Sequence, residues 1–280
     1  MTVGEVLRDA RGRLARASFK PSPREAALLL GNVLGRGEAA LLARGDETVD
    51  AAARRRFEAL LERRLRGEPV AYLLGEREFY GRPFRVDDRV LIPRPETEHL
   101  IEAVLALGLP LAPRVLDVGT GSGAIAVTVA LEVPGARVVA SDLSLGTLEV
   151  LAANARGHGV AERVLPVLGD LTAALDLGGF DLVVANPPYV DPDEAVRLSP
   201  EVVAFEPHLA LFAPGSGRST IARLLAAAPA LRRGTPLVIE IGYDQSEWLE
   251  GVVGELQGLE LEGIVKDLAG HPRTAILRRR

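Results

Sequence analysis

Along the first 75 residues, apolar positions recur at helical spacing and are punctuated by capping and breaking residues. Val3, Val6, Leu7, Ala10, Leu14 and Ala17 form one such stripe and predict a first helix over 3–17. Ser22-Pro23-Arg24-Glu25 combines an N-cap serine, a proline in the first helical position and the glutamate of a capping box. A second helix should therefore start at Pro23 and carry Ala27 to Leu30 inward. Residues 38–44 read as a short third helix. Asp50 can cap a fourth, which runs through Phe57, Leu60, Leu61 and Leu65 until Gly67 and Pro69 stop it. The pattern predicts a small helical bundle.

After residue 75 the pattern changes. Residues 76–80 and 83–87 flank Gly81-Arg82, where glycine at the first central position predicts a hairpin with a type II′ turn. Ile92-Pro93-Arg94-Pro95-Glu96-Thr97 leads into a helix that turns Leu100, Ile101, Val104 and Leu105 inward, ended by Pro110 and Pro113. From Arg114 onward, β-branched runs at 115–118, 138–141, 164–168, 182–185 and 237–241 alternate with helical stretches. Such alternation predicts an α/β fold with a mostly parallel sheet and helices on both faces. The last two runs, 261–266 and 274–277, are joined through Gly270-His271-Pro272, too short for a helical crossover. They should pair antiparallel.

Composition narrows the chemistry. With 280 residues, 48% hydrophobic and 25% charged, the chain has room for about two globular domains. The absence of cysteine excludes disulfides, thiolate metal sites and thiol catalysis. His99, His158, His208 and His271 are widely separated, so no metal site is expected. Arg8, Arg11, Arg13 and Arg16 interrupt the N-terminal apolar stripe, which argues against a leader peptide, and the longest apolar stretch is far short of the roughly 20 residues that cross a bilayer. A cytoplasmic protein without membrane attachment is expected. Net charge is −5, divided as +4 over residues 1–75 and −9 over the rest. Arg54, Arg55, Arg56, Arg63, Arg64 and Arg66 read as a solvated helix face rather than a docking site for an acidic partner.

The strand at 115–118 enters the glycine turn Gly119-Thr120-Gly121-Ser122-Gly123, and a helix follows. Glycines there allow a ligand to approach the backbone, and the helix start supplies free NH groups. Asp142 ends the next strand, where a carboxylate can accept both hydroxyls of an adenosine ribose. That arrangement suits NAD and S-adenosylmethionine equally. Asp170, after the third strand, is a candidate for the adenine amino group with Leu171 against the ring, or else a helix cap. Asp117 either holds the far end of the cofactor through water or braces the turn.

Asn186-Pro187-Pro188-Tyr189 follows the buried run at 182–185, where open α/β sheets place their ligands. The Asn186 side-chain oxygen and the Pro187 carbonyl can accept the two protons of a planar NH2 group, and Tyr189 can stack on its plane. An amide or aryl amine nitrogen is a poor nucleophile because its lone pair is delocalised. Holding both protons opposes that delocalisation and aims the lone pair at an electrophile. Adenine and glutamine both present such a group.

With these residues in view, the chain resembles the HemK/PrmC family, the peptide-chain release factor glutamine methyltransferases. The resemblance rests on Leu91-Ile-Pro-Arg-Pro-Glu-Thr-Glu98, Asp117-Val-Gly-Thr-Gly-Ser-Gly123, Ser141-Asp142, Asn186-Pro-Pro-Tyr189 and Glu240-Ile-Gly242. It implies an N-terminal helical substrate-recognition domain at 1–75, a β-hairpin linker at 76–92 and a seven-stranded class I, Rossmann-like methyltransferase domain at 93–280. It also implies S-adenosylmethionine as cofactor and N5-methylation of the glutamine in the Gly-Gly-Gln motif of class I release factors. Gly119, Thr120, Gly121, Ser122, Gly123, Asp142, Asp170, Leu171 and Asn186 would contact the cofactor. Asn186, Pro187, Pro188 and Tyr189 would hold the glutamine, with Asn186, Pro187 and Tyr189 catalytic. Ala213-Pro-Gly-Ser-Gly-Arg218 departs from the expected Asp-Gly-Leu pattern. Leu171 stands where relatives can carry tryptophan.

Three other readings compete. An adenine-N6 methyltransferase would use the same tetrapeptide, but the acidic second half and the lack of a basic insertion weigh against stable nucleic acid binding. An NAD-dependent oxidoreductase fits the glycine turn alone. A noncatalytic release-factor-binding protein would bind both ligands without transfer.

Overall fold

The computed structural model of the protein describes residues 1–173 and 175–280. The chain divides into two compact units: Met1–Glu76 with Val196–Phe205, and Arg77–Ala195 with Glu206–Arg280. A segment from the second half of the sequence thus belongs to the first unit.

In the first unit, α1 (Val3–Leu14) starts at a reciprocal capping box in which the Thr2 hydroxyl accepts from the Glu5 amide at 3.3 Å and Glu5 accepts from the Thr2 amide at 2.8 Å. α2 (Glu25–Leu34) begins later than the Ser22-Pro23 signature suggests. Glu25 accepts from the Ser22 amide at 2.9 Å, but the Glu25 amide donates back to the Ser22 carbonyl at 3.0 Å, so a tight turn precedes the helix. α3 (Glu38–Ala43) is short, and α4 (Ala51–Leu65) is capped by Asp50, which accepts from the Ala52 and Ala53 amides at 2.8 and 2.9 Å. After Pro69 one more short helix forms, α5 (Val70–Leu74), where the sequence pattern marks only a stop.

Leu29, Leu30, Leu41, Phe57 and Leu61 fill the core of this unit. Arg64 follows Phe57 by seven residues and Leu61 by three along α4, so it lies on the buried stripe and not on the solvated face expected for it. Its guanidinium pairs with Glu25 at 2.6 Å and Glu201 at 2.8 Å and sits 4.2 Å from the Phe19 ring centroid. A buried arginine is tolerable only with partners of this kind.

The second unit opens with the hairpin β1 (Glu76–Phe79) and β2 (Arg82–Arg85). Its turn is type I′ at Tyr80-Gly81, not type II′ at Gly81-Arg82, because both Tyr80 (φ 52°) and Gly81 (φ 72°) are left-handed. Tyr80 is held in this uncommon conformation by α6 (Glu98–Leu105): its amide donates to Glu98 at 2.9 Å and its hydroxyl to Glu102 at 2.6 Å. The order then runs β3 (Arg114–Val118), α7 (Ala124–Glu132), β4 (Arg137–Asp142), α8 (Leu145–Gly157), β5 (Val164–Leu168) and β6 (Leu182–Ala185). It continues with α9 (Pro200–Phe205), which belongs to the first unit, then α10 (His208–Leu211), α11 (Ser219–Ala227), β7 (Pro236–Glu240), α12 (Ser246–Glu255), β8 (Leu259–Lys266) and β9 (Pro272–Arg279).

One seven-stranded sheet has the order β5-β4-β3-β6-β7-β9-β8. β9 is antiparallel to both its neighbours, and the short link before it requires this of its pairing with β8. Alternate residues of each strand feed separate cores: Val115, Leu182 and Val184 pack with Leu100, Ile125 and Leu151, whereas Leu116, Val183 and Ala185 pack with Leu225, Ile239 and Leu277. Register fixes what the carboxyl edge displays. Val118 pairs with Ser141 on one side and Ala185 on the other, and Ala185 pairs with Ile239. The residues that follow, Gly119, Asp142, Asn186 and Glu240, therefore emerge side by side.

Candidate active site

The glycine turn is shaped by backbone conformation. Gly119, Gly121 and Gly123 have φ of 70°, 57° and 82°, a region in which a side chain is strained. A Cβ at Gly123 would also fall 2.2 Å from Leu151, so this glycine lets α7 start against α8. The Gly119 and Thr120 amides both donate to the Ser141 carbonyl, at 2.9 and 3.0 Å. Asp142 is tied to the same turn: its carboxylate accepts from the Gly121 amide at 3.1 Å and the Ser144 amide at 3.0 Å. Burial raises its pKa against those hydrogen bonds. Asp117 takes the bracing role, accepting from the Thr120 hydroxyl at 2.6 Å. It is fully buried, and desolvation pushes its pKa up to about 7 despite that bond.

The Asn186 turn is shaped by side chains. The Asn186 NH2 group donates to Thr97 Oγ1 at 3.1 Å, and the Thr97 hydroxyl donates to Glu240 Oε2 at 2.7 Å. The Tyr189 hydroxyl donates to Glu240 Oε1 at 3.1 Å. Gln245 binds the backbone beneath: its NH2 donates to the Tyr189 and Gly217 carbonyls, each at 3.2 Å, while its oxygen accepts from the Gly242 amide at 3.0 Å. Burial raises the Glu240 pKa, opposed by the bonds from Thr97 and Tyr189 and by Arg273. Burial and the facing Glu240 push the Tyr189 phenol far above its usual range. It stays a donor.

Gly217 explains the divergent segment at 213–218. Its φ is 71°, and a Cβ there would sit 2.0 Å from the Tyr189 carbonyl oxygen. Only glycine allows this segment to lie against the tetrapeptide.

A cavity of about 390 Å³ lies along this edge, within the size range of small-molecule sites. Gly119, Thr120, Gly121, Ser122, Asp142, Asp170, Leu171, Asn186 and Pro188 line it. Gly123, Pro187 and Tyr189 are not among its lining residues; the Tyr189 ring packs against the second core. Asp170 accepts from Arg223 at 2.7 Å, and both residues line the cavity. The sequence reading gave no role to several other lining residues, among them Arg94, Thr97, Pro207, Leu209 and Arg223. Arg94 and the Ile92 amide both bind the buried Glu206 carboxylate, at 2.6 and 3.1 Å, which ties the 92–94 segment to the chain preceding Pro207. Thr97 and Glu240 lie in separate sequence motifs, and their contact spans 143 residues. No periodicity could have found it.

The sheet order, the glycine turn at the β3–β6 switch point and the acid ending β4 define a class I, Rossmann-like methyltransferase. Solved structures share this fold. The hMettl16 catalytic domain in complex with MAT2A 3′UTR hairpin 6 aligns with a TM-score of 0.58 at 16% identity, over 75% of this chain and 79% of that one. A methyltransferase from Pyrococcus furiosus aligns with a TM-score of 0.52 at 17% identity, over 72% and 90%. Residues 5–75 match the PrmC N-terminal domain and residues 96–206 the methyltransferase small domain. The release factor glutamine methyltransferase of Cereibacter sphaeroides is 43% identical over 99% of both chains, and that of Neisseria gonorrhoeae is 46% identical over 90% of this chain and 92% of its own. The chain belongs to the release factor glutamine methyltransferase family. Among the described residues, no helix is long and apolar enough to cross a membrane, and no group of three or more His, Asp or Glu side chains could hold a metal.

Proposed function

We propose that this protein transfers a methyl group from S-adenosylmethionine to the side-chain amide nitrogen of the Gly-Gly-Gln glutamine in class I peptide-chain release factors. One observation carries the reading: a glycine turn and an Asn-Pro-Pro-Tyr turn leave adjacent, in-register strands, in a chain that matches a release factor glutamine methyltransferase over 99% of its length. Such a substrate places the enzyme in the cytoplasm. The helical unit, with its added segment Val196–Phe205, is assigned to recognition of the release factor, and the second unit, in which the expected linker is an integral part from Arg77 onward, to catalysis.

The residues fit the cofactor. Backbone is bare at Gly119 and Gly121, the Asp142 carboxylate lines a cavity of about 390 Å³, and Leu171 offers an apolar surface in the same cavity. Gly119, Thr120, Gly121, Ser122, Asp142, Asp170, Leu171 and Asn186 would hold it, while Gly123 shapes the turn. When bound, S-adenosylmethionine supplies a methyl group activated by its sulfonium. Asn186 Oδ1 and the Pro187 carbonyl accept the two protons of the glutamine NH2, Pro188 shapes the cavity wall, and Tyr189, bonded to Glu240 with its ring on the second core, holds the turn in place. The lone pair is then directed rather than delocalised. The neutral nitrogen loses its proton after attack, so no histidine or thiol is required.

Incubation of the protein and S-adenosylmethionine with a release factor, followed by peptide mass spectrometry, tests this. One added methyl group on the Gly-Gly-Gln glutamine is expected. Label appearing on DNA or RNA and never on the release factor would refute it.

A further inference from the structure

Asn186 can serve as described only if its oxygen, and not its NH2, faces the glutamine. The two ends of a primary amide are nearly the same size, so packing alone does not choose between them. We infer that Thr97 is the positioning residue that makes this choice, with Glu240 as the anchor that commits Thr97; the inference rests on the methyl-transfer reading above.

A hydroxyl has one proton to give. Thr97 gives it to Glu240 Oε2 at 2.7 Å, an acceptor with no proton of its own when ionised. Toward Asn186, at 3.1 Å, Thr97 Oγ1 can therefore only accept. The NH2 end of Asn186 must turn to Thr97, which leaves Oδ1 as the end available to the cavity that Asn186 and Thr97 both line. Thr97 and Glu240 are 4% and 1% exposed, so water does not offer a competing partner, and the direction of each bond holds while Glu240 is ionised, the form that the bonds from Thr97 and Tyr189 and the charge of Arg273 favour against burial. The second oxygen of Glu240 accepts from Tyr189 at 3.1 Å. One carboxylate thus commits the first and last residues of the tetrapeptide, from a strand 51 residues beyond Tyr189.

Two near-isosteric substitutions separate this role from packing. Thr97→Val keeps the shape and loses the acceptor; Thr97→Ser loses a methyl and keeps the acceptor. Expected is a fall in kcat of about ten- to a hundredfold for Thr97→Val, the scale of one buried hydrogen bond, with S-adenosylhomocysteine affinity by calorimetry kept within about threefold. Thr97→Ser should restore turnover to within about threefold of the parent. In an Asn186→Ala background, Thr97→Val should have no further effect, because the atom it orients is gone. Should Thr97→Val lack a cooperative melt, Thr97→Cys, with its weak acceptor, replaces it under the same expectation. Parental turnover in Thr97→Val, equal losses in the Val and Ser variants, or additivity with Asn186→Ala would each overturn the inference. A parent enzyme that methylates no release factor would instead overturn the functional reading beneath it.

Discussion

The two turns at the carboxyl edge of the sheet do comparable work by different physics. Gly119–Gly123 is fixed by φ angles that only glycine adopts easily and by amides bonded to the neighbouring strand end, Ser141 and Asp142. Asn186–Tyr189 contains no glycine and is fixed by buried side chains that arrive from α6's start, β7's end and the segment beyond it: Thr97, Glu240 and Gln245. A site that binds through its backbone needs permissive residues, and those can be read one by one. A site that presents a particular side-chain atom needs its surroundings to choose that atom, and the choice is distributed over the fold.

The largest expected effect tests how the glycine turn tolerates a buried acid. Asp117 has its ordinary value of 3.8 raised to about 7 in the folded protein, so its contribution is fully present below about pH 4 and is lost as pH rises toward 7. The loss is of order 4 kcal/mol for a fully buried group. Denaturant unfolding across this range should show the parent protein losing more stability than Asp117→Asn, which keeps an acceptor for Thr120 without a charge. Parallel curves for the two proteins would show that Asp117 does not titrate there.

Next in size is Gly217→Ala, which strikes the second turn from beneath. Its Cβ would lie 2.0 Å from a backbone oxygen, at a φ of 71° that alanine disfavours, so the segment or Tyr189 must move. A destabilisation of order 3 kcal/mol is expected, with a matching fall in turnover. A stable and fully active variant would mean that the contact is not required.

The smallest effect on stability and the cleanest on chemistry should come from Asn186→Ala. Removing one acceptor of the substrate NH2 is expected to lower turnover about ten- to a hundredfold, with global stability changed by about 1 kcal/mol or less, since Asn186 is only half-buried. Turnover assays beside melting curves check both. Normal turnover would remove Asn186 from the reaction, and a collapse of stability would make its role structural.

Much of the architecture was legible because periodicity reports local preference. The five parallel strands and the antiparallel closing pair follow from β-branched runs and link lengths, and Asp50 caps α4 as its position suggests. Where the reading failed, a distant partner had intervened. Tyr80 is left-handed because Glu98 and Glu102 hold it, and Arg64 is buried because Glu25, Glu201 and Phe19 receive it. The closing order β7-β9-β8 places the last strand inside the sheet, which alternation cannot specify.

The sequence by itself determined that a glycine turn, a strand-ending acid and an NH2-gripping tetrapeptide exist on the ends of strands, since each is a local arrangement of residue types. Only the tertiary structure decided that β3 and β6 are neighbours in register, so that Gly119 and Asn186 emerge together, and that Glu240 and Thr97 meet behind them. The physical reason is that strand pairing and buried hydrogen-bond direction are set by contacts remote in sequence. A side chain's chemical type is written in one residue, but the atom it presents is chosen by the residues around it.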